Sequence, residues 1–320
     1  MTTTPDRRRH RPIHRSTLPA AALALALCLA GCTSGTLPVT STRASSTAPT
    51  AAPATPPHAG SAGPGTATST TAGLEHDVLV AGRRFRAQCD GSGPSVILVS
   101  DYGASMDDTR PFLQSLRLPA RVCLYDRLGV GRSDPAPHVQ TFASLADDLD
   151  GVISGLGLTR PVVVLGDVLG APIALTWVSR HEKDARAVLL TMPPPPGFMG
   201  PHGSLVGLLP PDDPGDPELS NLWRDLDRFN DPALNRESLD PRSWDAYLRL
   251  PATSTPLYDL IGPVSHPWPP SVDGTKIDQA WQQAQTQVLR LSSSSRLVTV
   301  AKQADWTSAV KRTLEQALQS

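Results

Sequence analysis

Residues 161–180 read PVVVLGDVLGAPIALTWVSR, and this stretch decides the fold class. It begins with a run rich in β-branched residues, Pro161–Leu165, which is typical of a buried strand. It ends with an apolar segment of helical length, Gly170–Arg180. The glycines of the connecting pentapeptide, GDVLG at 166–170, permit a sharp turn of the backbone. The order therefore predicts a buried strand that leads through a tight turn directly into a helix.

The same alternation of buried strands and amphipathic helices extends along the chain on both sides of this stretch. Phe142–Leu156 carries apolar residues at helical spacing, and Ser95–Ser100 contains a continuous apolar run of the buried-strand type. This order favours a mostly parallel central sheet that helices cover on both faces, so we expect an α/β domain. Other strands are predicted at Arg83–Cys89, Arg121–Tyr125, Ala187–Thr191, Pro256–Ile261 and Arg296–Val300, and other helices at Asp278–Leu291 and Thr307–Leu318.

The alternation breaks at about residues 193–255. Prolines separate short amphipathic pieces there, such as Leu219–Phe229 and Ser243–Leu250. We interpret this segment as a lid inserted into the domain. Residues 74–320 together have the size of one α/β domain with an insertion rather than of two domains.

The amino-terminal residues have the order of an export signal. A basic run, Arg7–Arg15, precedes an apolar stretch, Leu18–Ala30, that is short for a membrane-spanning helix. We interpret residues 1–31 as a signal peptide. The stretch ends in LAGC at 29–32, which resembles the lipobox of bacterial lipoproteins. This resemblance implies a lipid on Cys32 and a location on the extracytoplasmic face of the cell membrane; an ordinary signal peptide followed by a chance cysteine is the alternative.

Residues 32–73 consist almost entirely of Thr, Ser, Ala, Pro and Gly. Such a segment buries too little apolar surface to offset the entropy of ordering it, so we predict a disordered tether that spans roughly 35 Å. The net charge of the chain is −1, and loss of residues 1–31, which hold five Arg and one Asp, would leave −5. Neither value indicates a concentrated basic face, so we expect no nucleic-acid partner.

Two of the four cysteines remain in the predicted domain. Cys28 belongs to the predicted signal peptide and Cys32 to the lipobox, which leaves Cys89 and Cys123. In an oxidising compartment, the expectation is a disulfide between these two residues. Two buried free thiols are the alternative, because the sequence does not give the distance between the two Cα atoms.

Two motifs carry a resemblance to the α/β-hydrolase superfamily. YDRLGVGRSD at 125–134 is similar to a strand-to-helix turn of many such enzymes, in which the Arg and Ser brace neighbouring loops. GDVLG at 166–170 stands where these enzymes have the nucleophile elbow G-x-S-x-G. The resemblance covers nearly all of residues 78–320, and it implies a mostly parallel central sheet flanked by helices, with an inserted lid, in a secreted or lipoprotein branch of the superfamily.

The chain departs from this superfamily at all three positions of the catalytic triad. Val168 stands at the tip of the elbow, and its hydrocarbon side chain cannot act as a nucleophile. Met192 stands where the branch that the chain most resembles has an acid, and Asp305 stands where that branch has the catalytic His. We therefore expect a degenerate triad, as in a pseudoenzyme.

The region of the oxyanion hole is a further departure. Such enzymes have His-Gly or a pair of glycines in the loop after the first central strand, whereas this chain has SDYG at 100–103. A carboxylate at Asp101, beside the hole, is expected to repel a developing oxyanion. Tyr102 and Leu169 still offer backbone N–H donors there.

These features favour a non-catalytic protein that binds an unknown small molecule, lipid or protein without a cofactor or a metal ion. Two alternatives stay open. One is an active serine hydrolase with relocated catalytic residues, in which Ser100 or Ser105 works with His266. The other is a metal site from Asp101, Asp305 and His266, although their spacing resembles no known ligand pattern.

Overall fold

A computed structural model describes residue 73, residues 75–263 and residues 267–320. The predictions for the signal peptide at 1–31, for Cys32 and for nearly all of the tether at 32–73 lie outside the described residues, as does His266. In the part of the chain that the structure describes, no helix is long and apolar enough to cross a membrane.

The described residues contain one mixed sheet of eight strands. The strands are β1 (Glu75–Val80), β2 (Arg83–Asp90), β3 (Ser95–Val99), β4 (Arg121–Tyr125), β5 (Val162–Asp167), β6 (Ala185–Thr191), β7 (Leu257–Ile261) and β8 (Ser295–Thr299). Their order across the sheet is β1-β2-β4-β3-β5-β6-β7-β8. β2 runs antiparallel to both of its neighbours, β1 and β4, and all other neighbouring strands are parallel.

Helices lie on both faces of this sheet. They are α1 (Met106–Leu116), α2 (Phe142–Gly155), α3 (Gly170–Arg180), α4 (Pro217–Phe229), α5 (Ser243–Leu248), α6 (Gly274–Leu289) and α7 (Trp306–Gln319), with short 3-10 turns at Glu182–Asp184, Val206–Leu208 and Gln303–Asp305. One apolar layer joins a face of the sheet to α2, α3, α6 and the inserted segment, and the other joins the opposite face to α1 and α7. The predicted fold class, a mostly parallel sheet flanked by helices, is confirmed.

Two elements lack a clear signal in the sequence. β1 is an edge strand in which only Val78 is buried, so it has no continuous apolar run. α1 contains Pro111, which removes a backbone donor, and buries only Met106, Leu113 and Leu116. These two elements therefore depend on their tertiary contacts more than on a local pattern.

A disulfide joins Cys89 in β2 to Cys123 in β4, as predicted. The two residues are direct partners in the antiparallel register, and their Cα atoms lie 4.1 Å apart. The alternative of two free thiols is thereby excluded.

The inserted segment at about 193–255 leaves the sheet after β6 and returns to it at β7, and these two strands are neighbours. It contributes Phe198, Leu226, Phe229 and Trp244 to the same apolar layer as α2 and α3. The insertion is present, while its action as a lid stays a prediction.

Candidate functional site

The turn between β5 and α3 has the backbone of a nucleophile elbow with Val168 at its tip. Val168 has a φ of 42°, in the left-handed region that β-branched residues rarely adopt. Its N–H donates to the carbonyl oxygen of Thr191 at 2.9 Å. A Cβ at Gly170 would lie 1.9 Å from the carbonyl oxygen of Val99, which explains why this position requires glycine. The sharp turn is therefore retained, but its tip carries an isopropyl group that is 2% exposed.

The two backbone donors at the oxyanion position converge on a side chain of the protein itself. The N–H of Tyr102 donates to Oδ1 of Asp101 at 2.6 Å, and the N–H of Leu169 donates to the same oxygen at 3.1 Å. The sequence places Asp101 beside the hole as a source of repulsion, and the structure corrects this view. The loop after β3 turns tightly enough for the Asp101 carboxyl group to accept both of the predicted oxyanion-hole donors.

A second acid, Asp167, lies close to the Asp101 carboxyl group. Burial raises the pKa of Asp101 well above its usual range, and the neighbouring Asp167 raises it further. Burial also raises the pKa of Asp167, against the lowering effect of a 2.6 Å hydrogen bond that Thr191 Oγ1 donates to Asp167 Oδ1. The arrangement thus favours protonation of this pair of acids where ordinary aspartates are ionised.

A buried ion pair fixes the loop that carries Asp101. Nε and Nη2 of Arg127 donate to the two carboxylate oxygens of Glu237 at 2.8 and 2.7 Å. Nη1 and Nη2 of Arg127 also donate to the carbonyl oxygens of Ser100 and Asp101, and the N–H of Gly103 donates to Glu237 Oε1. Arg127 therefore braces a neighbouring loop, as the motif at 125–134 implies.

No sequence motif marks Glu237 as part of this site. It is a single acid in the inserted segment, 110 residues from Arg127 in the chain, yet its side chain is 1% exposed. The adjacent N–H of Arg236 donates to the hydroxyl of Tyr102 at 2.5 Å. The insertion is thus attached at two points to the loop of the oxyanion position.

The other two residues at predicted triad positions, Met192 and Asp305, have no acid–base partner among the described residues. Met192 follows β6 with a φ of 50°, and its sulfur accepts a hydrogen bond from the N–H of Gly262 at 3.2 Å. Asp305 is exposed at the start of α7. Among the described residues, no hydrogen bond or ion pair joins Val168, Met192 and Asp305 to one another.

The structure describes all the residues of the two alternative hypotheses except His266. Ser105 is the N-cap of α1, and its hydroxyl donates to Asp108 Oδ2 at 2.7 Å. Ser100 is 1% exposed, and its hydroxyl has no hydrogen-bond partner in the described part of the chain. The described residues contain no group of three or more His, Cys, Asp or Glu side chains that could hold a metal ion. His266, which both alternatives require, lies outside the described residues.

Aromatic rings of the insertion pack against Tyr102 and against one another. Tyr102 packs edge-on against Phe229 at 5.2 Å between ring centroids, and Phe229 lies 6.4 Å from Trp244. Trp244 in turn lies 5.1 Å from Phe142 and 6.3 Å from Tyr247. These rings therefore form a continuous aromatic row that joins the loop of Tyr102 to the insertion and to the start of α2.

A buried carboxyl group, Asp259 in β7, lies close to the end of this row. Asp259 is 0% exposed, and neither of its carboxyl oxygens has a hydrogen-bond partner among the described residues. Burial raises its pKa to about 7. The pKa of Tyr247 is raised by burial and further by Asp259, which indicates that the two groups interact. The sequence gives no warning of this acid, because it lies within an otherwise apolar strand.

Comparisons with known proteins agree with this architecture. A family model described as alpha/beta hydrolase fold matches residues 94–293. The putative carbamate hydrolase RutD of Enterobacter cloacae is 36% identical over 87 residues, which are 27% of this chain and 32% of that protein. The uncharacterized protein YqjL of Bacillus subtilis is 22% identical over 125 residues, which are 38% of this chain and 49% of that protein. The chain thus spans less than half of the length of these curated relatives.

Two solved structures show the same fold. The haloalkane dehalogenase DatA from Agrobacterium tumefaciens superposes with a TM-score of 0.52 at 19% identity and covers 78% of this chain and 97% of its own. A thermophilic esterase from Thermogutta terrifontis superposes with a TM-score of 0.51 at 17% identity and covers 76% of this chain and 99% of its own. At these identities the likeness concerns the fold alone.

Proposed function

The chain belongs to the alpha/beta hydrolase fold family, and we propose that within this family it is a membrane-anchored pseudohydrolase that acts by binding a ligand or a protein. The observation that carries the proposal is the elbow itself. Val168 occupies the tip where a hydrolase of this fold presents its nucleophile, and the Asp101 carboxylate occupies the donors that would stabilise an oxyanion. Both chemical requirements of acyl transfer are therefore unmet at the same point of the fold.

The magnitudes support inactivity rather than reduced activity. Removing the nucleophile of a triad enzyme costs on the order of a millionfold in turnover. Removing one donor of an oxyanion hole costs about 10²- to 10³-fold. Here a hydrocarbon replaces the nucleophile, and the Asp101 carboxylate already accepts both donors.

We place the protein on the extracytoplasmic face of the cell membrane. The support comes from the lipobox-like LAGC at 29–32, which predicts a lipid on Cys32, and from the tether predicted at 32–73. The Cys89–Cys123 disulfide is consistent with an oxidising compartment. Mass spectrometry of the membrane fraction tests the anchor, since an unmodified Cys32 on the mature chain would contradict it.

The proposal of inactivity is tested with the purified chain, short-chain p-nitrophenyl esters and a fluorophosphonate probe that labels activated serines. We expect neither turnover above the buffer rate nor labelling. The Val168→Ser variant is the informative companion, because it restores a hydroxyl at the tip while Asp101 still fills the hole. We expect it to stay unlabelled as well. Stoichiometric labelling of the natural chain would refute the proposal.

An active serine hydrolase with relocated residues is the competing candidate. The observation in its favour is the hydroxyl of Ser100, which has no hydrogen-bond partner among the described residues and directly precedes Asp101. Ser100 is 1% exposed, however, so a substrate would have to displace its surroundings to reach it. If this candidate is correct, Ser100→Ala and His266→Ala each abolish an ester hydrolysis that the natural chain performs.

A further inference from the structure

We propose that β8 is an interaction surface for a second copy of this chain, which adds its own β8 in antiparallel pairing across a two-fold axis. β8 is the last strand of the sheet and pairs with β7. Its other side carries no strand of the described part of the chain. The inference goes beyond the proposed function, because it concerns this edge of the sheet and does not involve the elbow.

The backbone groups on the open side of β8 belong to alternate residues. The N–H of Leu257 donates to the carbonyl oxygen of Ser294 at 2.9 Å, and the N–H of Val300 donates to the carbonyl oxygen of Ile261 at 2.8 Å. In a parallel pair, every second residue directs both its N–H and its C=O to the neighbouring strand, so the even-numbered residues of β8 bond to β7. The N–H and C=O groups that point away from the sheet are those of Ser295, Leu297 and Thr299.

These outward groups are not covered by another element. No loop or helix of the described residues forms a hydrogen bond with them. The side chains of β8 are exposed except for that of Val298, and Leu297 exposes 41% of its surface. An open edge with free backbone groups and an exposed apolar side chain favours the addition of a further strand.

β1, at the opposite edge of the sheet, has a protection that β8 lacks. Glu75 and Asp77 in β1 form ion pairs with Arg86 of β2. Charged side chains, prolines and bulges on an edge strand discourage pairing with another chain. β8 has a single charged residue, Arg296, no proline, and an unbroken register with β7. β8 is therefore the more open of the two edges.

The outward groups are symmetric about Leu297, which favours a second copy of β8 over an unrelated strand. In antiparallel pairing centred on this residue, Leu297 faces Leu297 of the second copy, and Ser295 faces Thr299 of the second copy. Both residues of each such pair direct their N–H and C=O outward, so each pair exchanges two hydrogen bonds. One two-fold axis, the commonest symmetry of protein dimers, thus satisfies every outward backbone group of the strand.

The Leu297 side chains of the two copies meet on the face of the sheet that α6 covers. In β7, Leu257 and Ile261 belong to the apolar layer that includes α6, and they lie opposite Ser295 and Thr299. Side chains alternate along a strand, so Leu297 points to the same face as these two residues of β8. Pairing with a second copy therefore removes each exposed leucine from water.

The charges at this edge permit the pairing. Arg296 lies opposite Val298 of the second copy rather than opposite another Arg296, so no like charges face each other directly. Helix α6 packs against β7 and β8, and its residues 279–289 carry no charge. The exposed positions of this part of α6 are Gln279, Gln282, Gln283 and Thr286. Charged residues are depleted at the centres of protein interfaces, so a neutral helix beside the edge is compatible with burial against the second copy.

The length of β8 limits the strength of the dimer. A stable interface buries about 800 Å² of each partner, which is more than a strand of five residues provides. We therefore expect a reversible dimer with a Kd on the order of 10 µM, to which α6 also contributes.

The test is sedimentation velocity of the full purified chain in a non-ionic detergent, at concentrations from about 1 to about 200 µM. We expect a reversible shift from monomer to dimer. Leu297→Lys places two ammonium groups against each other at the axis and should weaken dimerisation by at least about tenfold. Leu79→Lys is the matched control, because it changes an exposed leucine on the opposite edge strand, and it should dimerise as the natural chain does.

Leu297→Pro gives a second reading of the same contact. The N–H of this residue points away from β7, so proline removes a donor to the second copy and no hydrogen bond within the sheet. We expect this variant to stay monomeric over the same concentrations. Circular dichroism and thermal unfolding establish that the three variants are folded.

Hydrogen exchange locates the contact on β8. Peptides that cover residues 295–299 should exchange more slowly at about 200 µM than at about 1 µM in the natural chain and in Leu79→Lys, and equally at both concentrations in Leu297→Lys. Three results would overturn the inference: a natural chain that is monomeric throughout, a dimer that persists unchanged in folded Leu297→Lys and Leu297→Pro, or a dimer that Leu79→Lys weakens as much as Leu297→Lys does.

Discussion

Replacing Asp259 by Asn should make the protein more stable at neutral and alkaline pH. Asp259 is fully buried in β7, and no described residue donates a hydrogen bond to either carboxyl oxygen. Asp259 raises the pKa of the neighbouring Tyr247, which is neutral at these pH values because its pKa lies well above its usual 10.0. An ionised carboxylate at this position therefore has no compensation for its lost hydration.

The pKa of Asp259 gives the size of the effect. Burial raises that pKa from 3.8 to about 7, and each pKa unit corresponds to 1.36 kcal/mol. The folded state holds this proton more tightly than the unfolded state, so the contribution of Asp259 to folding stability is largest below about pH 4 and is lost as the pH rises through about 7. The free energy of unfolding should lose about 4 kcal/mol across this window from this residue alone.

Urea unfolding of the natural chain and of Asp259→Asn, from about pH 4 to about pH 8, measures this contribution. The free energy of unfolding of the variant, relative to the natural chain, should rise by about 4 kcal/mol between the two ends of this range. Asp227→Asn, at an exposed acid, should show no comparable rise. A difference between Asp259→Asn and the natural chain that is constant with pH would refute the reasoning, because it would mean that Asp259 titrates alike in both states.

Other substitutions test the remaining contacts. Glu237→Ala should lower the free energy of unfolding, measured by urea titration, by about 3–5 kcal/mol because it leaves Arg127 buried without its partner. The double variant Arg127→Met with Glu237→Leu should lose less free energy of unfolding than Glu237→Ala. The double variant Cys89→Ser with Cys123→Ser removes a cross-link between residues that are 34 apart in sequence, and should lose about 4 kcal/mol of the free energy of unfolding through loop entropy. As a control, the reduced natural chain should be as stable as this variant. Asp101→Ala should free two backbone N–H donors, so acetate should raise the melting temperature of this variant and not that of the natural chain.

The sequence predicts those parts of the fold that depend on local periodicity. β5, the turn at 166–170 and α3 follow directly from a buried apolar run, paired glycines and an apolar helix, and the structure places them with α3 at Gly170–Arg180. The disulfide also follows, because only two cysteines remain in the domain. β1 and α1 are less evident, since their apolar residues are few.

The candidate site is less accessible to sequence reasoning because it depends on where side chains turn. Val168 at the elbow tip can be located from the glycines around it. The position of the Asp101 side chain depends on a loop conformation that Arg127 and Glu237 stabilise. These two residues are 110 positions apart in the sequence. No local pattern marks Glu237 as the partner of Arg127, nor Asp259 as a buried acid, because both facts arise from tertiary packing.

The position of the disulfide has a mechanical consequence. β1 is an edge strand that hydrogen-bonds only to β2 within the sheet, so a pull on the amino-terminal side of the domain would peel β1 first and then the beginning of β2. Unzipping would stop at Cys89, because its covalent bond transfers the load to β4, an interior strand. Under tension applied at that end, the oxidised domain would release a short length of chain and then resist further unfolding. The reduced domain would continue to unfold.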